Sequence, residues 1–137
     1  KFGGELTYVE KNGLCSVGTA KVVLNTRILL PKWKNRRRTT AELAFIWDTL
    51  LADIKRHEER HAEIARQYAR KLESTLEGLH PERTCEQMEA KVDATSKAII
   101  EEHKAAQRKF DHVEAASFER RMTRMLRFKV EQHMKNN

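Results

Sequence analysis

The feature that most constrains this sequence is the segment 54–64, IKRHEERHAEI, in which His57, Glu58 and His61 form an HExxH pattern. Residues four positions apart lie on the same side of an α-helix, so both imidazoles can reach one metal ion if the segment is helical. Zinc hydrolases use this spacing, and their glutamate takes a proton from a water that the zinc activates. The segment therefore predicts a helix with a Zn²⁺ site, with His57 and His61 as metal ligands and Glu58 as catalytic base.

The sequence around this motif has the pattern of a long amphipathic helix, because apolar residues recur at steps of three and four. A Thr-x-x-Glu capping box, Thr39 with Glu42, predicts the helix start, and Gly78 predicts its end. Helix one is thus expected over residues 40–78. Both histidines fall on its apolar side, where a polar side chain needs a partner.

A second helix is expected over residues 82–117, since Pro81 is followed by another capping box, Thr84 with Gln87. Its connection to helix one is short, and short connections join antiparallel neighbours. The two helices therefore predict a long antiparallel hairpin. Reflection about the turn near residues 80 and 81 places residues 100–104 at the level of the HExxH motif.

Residues 100–104 are therefore where we expect the third metal ligand. Glu102 lies within this range on the inward side of helix two and is the leading candidate, with His103 as second choice. Asp111 lies about two turns further along the helix. We expect its carboxylate to orient a ligand histidine by a hydrogen bond.

Residues 1–31 predict a small β region. They contain four of the five glycines and the run CSVGTAKVVLNTRILL, in which polar and apolar residues alternate as in a half-buried strand. The strand is one arm of a hairpin that turns at residues 11–13, and Pro31 ends it. With the helices, this predicts a single α+β domain over residues 1–137, with the β region packed on the helical hairpin and residues 118–137 forming a basic helical tail.

The composition limits the classes of partner. The formal net charge is +7, but the basic stretches at 32–38 and 120–135 lack interleaved stacking aromatics, so no specific nucleic-acid partner is expected. No apolar run is long enough for a transmembrane segment. Residues 1–10 lack the apolar stretch of a signal peptide, and the chain does not begin with Met. We therefore expect that either a signal peptide or an earlier part of the domain has been removed.

The two cysteines, Cys15 and Cys85, are too far apart in sequence to form the close pair of a zinc finger. A disulfide would imply an oxidising compartment, whereas two buried thiols would fit the cytosol. The residues alone leave both interpretations open.

The order of these features resembles a bacterial family first catalogued as a domain of unknown function and described as predicted secreted zinc-dependent proteases. The resemblance covers about residues 15–117. The matching segments are Cys15 to Val17, Leu30 to Trp33, Trp47, His57 to Ala65, Cys85, and Phe110 with Asp111. It implies a periplasmic or secreted protein, a disulfide between Cys15 and Cys85, and a metallopeptidase.

The chain departs from the family pattern Tyr-Asp-x-x-Thr-x-His-Gly. Phe110 replaces its tyrosine, and Glu114, Ala116 and Ser117 stand at the positions of its threonine, histidine and glycine. If that histidine is the third zinc ligand, this protein lacks it and is a weakened or inactive member. If Glu102 is the ligand, the site is intact.

Two hypotheses follow. The first is a zinc-dependent metallopeptidase or other hydrolase of the bacterial periplasm or cell envelope, acting on a peptide or protein substrate. The second is a non-catalytic helical interaction module, an inactive member of the family, whose basic tail binds an anionic partner or a second copy of the chain as a homo-oligomer.

Overall fold

The computed structural model describes residues 1–135, apart from the side chain of His133. Its elements are β1 (Phe2–Lys11), β2 (Leu14–Leu24), a 3₁₀ turn at Arg36–Arg38, α1 (Ala41–Glu77) and α2 (Cys85–Lys135). The two strands form an antiparallel sheet that packs on the two long helices, so the predicted α+β class is confirmed. The described residues fall into two compact units: Lys1–Arg27 with His61–Gln107, and Ile28–Arg60 with the part of α2 after Gln107.

The β-hairpin turns at Asn12 and Gly13, within the predicted segment. Both residues have positive φ, 55° and 75°, which a two-residue type I′ turn requires at both central positions. The ladder runs from Lys11 paired with Leu14 to Phe2 paired with Leu24. β2 therefore ends at Leu24, where its pairing with β1 ends, and the prediction that Pro31 ends the strand was wrong.

Within the first unit, side chains of α1 form hydrogen bonds with the edge of β2 that does not pair with β1. The backbone N–H of Ala20 donates to Glu77 Oε1 at 3.1 Å, and that of Val22 donates to Glu73 Oε2 at 2.9 Å. Two carboxylates on the last turns of α1 thus satisfy strand donors that have no partner strand.

The core of the first unit lies between the sheet and the two helices. Its buried members are Cys15, Val17, Ala20, Leu72, Leu76, Met88, Val92 and Ile99. Met88 is fully buried, and burial of such a side chain stabilises a fold by about 1.5–3 kcal/mol. Cys15 and Cys85 form a disulfide at the edge of this core, as the family resemblance implied.

Threonine side chains cap both helices. Thr84 Oγ1 accepts from the Gln87 N–H at 3.1 Å, as the second capping box predicted. At α1 the cap is Thr40, whose Oγ1 accepts from the Leu43 N–H at 3.2 Å, instead of the predicted Thr39. With Thr40 as its cap, the helix begins at Ala41, one residue after the predicted start.

α2 continues without a break through the segment predicted as a tail, as far as Lys135. Residues 136 and 137 of that tail lie outside the described residues. Neither α1 nor α2, as far as Lys135, has a stretch sufficiently apolar and long to span a membrane.

The second unit contains the start of α1, the end of α2 and the irregular segment that precedes α1. The rings of Trp33 and Trp47 meet edge to face at 5.9 Å, and Arg36 makes a two-point ion pair with Asp48. These contacts attach the irregular segment to α1.

Candidate metal centre

His57 and His61 lie one turn apart on the same face of α1, which is unbroken from Ala41 to Glu77. Both side chains are partly buried. The helix predicted for the HExxH motif is therefore present, and the direction of each ring is set by side chains of α2.

His57 lies between two carboxylates in the second unit. Its Nε2 is 2.9 Å from Asp111 Oδ1, and its Nδ1 is 3.3 Å from Glu114 Oε1. The Phe110 ring stacks on the imidazole with centroids 4.8 Å apart. A carboxylate only accepts hydrogen bonds, so whichever ring nitrogen of His57 carries a proton donates to the carboxylate that it faces.

Glu114 is itself held by arginines. Arg121 donates to its Oε2 at 3.1 Å, and Arg56 donates to its Oε1. Burial acts to raise the pKa of Glu114, but hydrogen bonds from Arg56 and His57 and the charges of both arginines lower it overall. Glu114 is thus a fixed anionic acceptor for the His57 N–H.

Asp53 completes this network from α1. Arg121 Nε donates to Asp53 Oδ1 at 2.8 Å, and Arg56 pairs with the same carboxylate. Burial of Asp53, which is 4% exposed, acts to raise its pKa, yet the hydrogen bonds and charges of the two arginines lower it overall. The arginine pair therefore holds two carboxylates ionised beside His57.

His61 has an amide partner in the first unit. Its Nδ1 contacts Gln107 Oε1, and Gln107 Nε2 donates to the backbone oxygen of His61 at 2.9 Å. The amide oxygen is an acceptor, so the proton of a neutral His61 lies on Nδ1. The lone pair is then on Nε2, as a metal-ligating imidazole held by its other nitrogen requires.

A cavity of about 550 Å³ opens beside His57 in the second unit. Glu58, the predicted catalytic base, contributes to its lining with Asp111 and Glu114. The remaining lining residues are Asp53, Ile54, Ala115, Phe118 and Arg121. Carboxylates and an imidazole thus share the cavity with apolar side chains that a substrate side chain could contact.

The donor set suits zinc. Among residues 1–135, His57, His61 and Asp111 form a group of side chains that could hold a metal ion. Two imidazole nitrogens and one carboxylate oxygen are a ligand set that catalytic zinc sites use, with the fourth position left to water or substrate. The sequence predicts that Asp111 orients a ligand histidine by a hydrogen bond, and in the structure its Oδ1 lies 2.9 Å from His57 Nε2.

The two residues predicted as third ligand lie in other contacts. Glu102 Oε2 pairs with Lys71 Nζ at 2.6 Å, and this hydrogen bond raises the pKa of Lys71. His103 lies edge to face with the rings of Phe2 and Tyr68, and burial lowers the pKa of its imidazole.

The helix register explains the difference. His61 meets Gln107 and His57 meets Asp111, about two turns later in α2 than residues 100–104. Glu82, in the connection, pairs with Cys15 of β2 through both backbone groups, so the chain follows the strand before α2 begins. The predicted reflection about residues 80 and 81 was therefore wrong.

Sequence reasoning did not assign roles to Gln107, Glu114 or Arg121. The signal that could have found the first two is their spacing around Asp111, four residues before it and three after it on one face of α2. This face of α2 can be identified as the one that contacts α1 only when the offset between the two helices is known.

The sequence matches the DUF922 family, described as bacterial protein of unknown function, over residues 1–119. The chain therefore belongs to this family. No curated protein and no solved structure matches it significantly.

Proposed function

We propose that this member of the DUF922 family is a zinc-dependent hydrolase acting on peptides or proteins, with His57, His61 and Asp111 as the metal ligands. The observation that carries the proposal is the 2.9 Å approach of Asp111 Oδ1 to His57 Nε2 while Glu114 faces Nδ1. A carboxylate and an imidazole nitrogen that meet in this way can share an ion in place of a proton.

The remaining residues have roles that follow from their contacts. Glu114 would orient the ring of His57 through Nδ1, and Gln107 would do the same for His61. Bound zinc would supply a Lewis acid that lowers the pKa of water and polarises a carbonyl. Glu58, at the edge of the cavity, would accept a proton as general base and return it to the leaving amine as general acid.

The cavity supports a peptide or protein substrate, because Ile54, Ala115 and Phe118 offer apolar contacts beside the polar groups. The disulfide supports a location outside the bacterial cytoplasm, in the periplasm or secreted, since disulfides persist in oxidising compartments.

Glu58→Gln separates catalysis from metal binding. It should retain zinc, measured by elemental analysis, while the cleavage of a quenched-fluorescent peptide library falls by at least about a hundredfold, since it removes the general base. Glu59→Gln, an exposed neighbour, is the matched control and should cleave as the wild type does.

Zinc-loaded wild type that cleaves no peptide would contradict the hydrolase proposal and favour the non-catalytic module. Equal cleavage by the wild type and the Glu58→Gln variant would contradict the role of Glu58.

A further inference from the structure

A second surface of interest lies in the second unit, at the first turns of α1 and the last turns of α2. An apolar groove of about 470 Å³ is lined there by Ala41, Glu42, Phe45, Ile46, Leu126 and Val130. Ile46 and Val130 are 43% and 47% exposed, and Met134, one turn after Val130, is 71% exposed. Clustered apolar side chains that remain open to water indicate a surface that binds another apolar one.

Arginines adjoin this groove along α2. Arg120, Arg124 and Arg127 recur at steps of four and three and line one cavity on the helix surface, together with Ala116, Glu119 and Thr123. Arg127 is seven residues before Met134, so the two share a face of the helix. The cationic stripe and the apolar side chains thus lie side by side; together we call them the basic apolar surface.

The two chain segments that contribute residues to this surface carry the excess positive charge of the chain. Residues 28–48 and 120–135 contain eleven lysines and arginines but three acidic residues, a formal charge of +8, whereas the whole chain has +7. The rest of the chain is therefore close to neutral. A partner that uses this surface must carry negative charge.

We propose that the basic apolar surface docks on a bilayer that contains anionic phospholipids. Arginine forks bind lipid phosphates, and the apolar side chains beside them enter the boundary between headgroups and acyl chains. A second copy of the chain would bring like charges together, and a nucleic acid would leave Ile46, Val130 and Met134 exposed to water. The inference is independent of the proposed zinc chemistry.

The test is co-sedimentation of the 137-residue protein with phosphatidylcholine vesicles prepared with and without phosphatidylglycerol. Binding should require phosphatidylglycerol and weaken as salt is added. The triple variant Arg120→Gln, Arg124→Gln, Arg127→Gln should bind on the order of a hundredfold more weakly, because each basic residue near an anionic bilayer contributes about fivefold.

Two further variants make the test specific. Arg66→Gln, Arg70→Gln, Lys97→Gln removes the same charge from exposed positions of the first unit and should bind as the wild type does. Val130→Ser with Met134→Ser keeps the charge and should weaken binding about tenfold. Thermal melting of each variant verifies folding.

The absence of binding to phosphatidylglycerol vesicles would overturn the proposal. If the two triple variants lose vesicle binding to the same extent, binding depends only on the net charge of the chain, and this result would also overturn the proposal. If the Val130 and Met134 substitutions leave binding unchanged, the apolar side chains do not enter the bilayer. That result would contradict membrane docking and would indicate a polyanionic partner, an acidic protein or nucleic acid.

Discussion

At the scale of single residues, the side chains that face the Nδ1 atoms determine what His57 and His61 can do. Glu114 Oε1 lies at Nδ1 of His57 and Gln107 Oε1 at Nδ1 of His61, so each ring is oriented through the same nitrogen. Hydrogen-bond partners of this kind orient metal-ligating histidines and increase their basicity.

Glu114→Gln should raise the zinc dissociation constant about tenfold or more, because a neutral amide is a weaker partner for the imidazole than a carboxylate. A competitive zinc titration against a chromophoric chelator measures it, with circular dichroism to verify folding. Glu119→Gln, which changes an exposed carboxylate five residues later on the same helix, is the control. Equal zinc affinity in the wild type and the Glu114→Gln variant would refute the orienting role.

At the scale of the elements, the ion network of Asp53, Arg56, Glu114 and Arg121 joins α1 to α2 within the second unit. Asp53→Asn should lower the free energy of unfolding at neutral pH by about 2 kcal/mol or more, since Arg121 loses the charged partner of a largely buried pair. Urea unfolding measures it. Asp93→Asn, which breaks an exposed pair with Lys97, should cost at most about 1 kcal/mol.

The pH dependence of this difference follows from the lowered pKa of Asp53. A carboxyl with a lower pKa in the folded than in the unfolded chain stabilises the fold fully above its unfolded pKa, about 4, and loses that stabilisation as the pH falls through the folded pKa. The difference in the free energy of unfolding between the wild type and the Asp53→Asn variant should therefore narrow below about pH 4. A difference that widens there would show that folding does not lower the pKa of Asp53.

The disulfide between Cys15 and Cys85 connects β2 to the start of α2 within the first unit. It closes a loop with a sequence separation of 70, for which chain entropy predicts a loss of about 4 kcal/mol when both cysteines are replaced by serine. Urea unfolding of the double variant, and of the wild type with and without a reductant, measures this loss. If reduction leaves the wild-type midpoint unchanged, the disulfide is not a stabilising link.

The sequence predicts those parts of the fold that depend on local patterns. Periodicity and capping residues give both helices and the second strand, and Asn12 with Gly13 gives the turn. The third ligand depends on how far one helix slides along the other, and one turn moves a side chain by about 5.4 Å. The connection at residues 78–84 determines that offset through the pairing of Glu82 with Cys15, which no local pattern encodes.

At the scale of the whole molecule, the proposed zinc site would link metal binding to folding. An ion that binds only the folded chain stabilises it by mass action, so the removal of zinc should lower the melting temperature of the wild type. The Glu58→Gln variant should respond in the same way, because Glu58 is not a proposed ligand.

The most direct test of the central claim is the zinc content per chain of the wild type and of four single variants, His57→Ala, His61→Ala, Asp111→Asn and Glu102→Gln. We predict one zinc per chain in the wild type and in the Glu102→Gln variant, and loss of zinc in the other three, with all five proteins folded by circular dichroism. Zinc that persists in the His57→Ala variant, or that is kept by Asp111→Asn and lost by Glu102→Gln, would contradict the site.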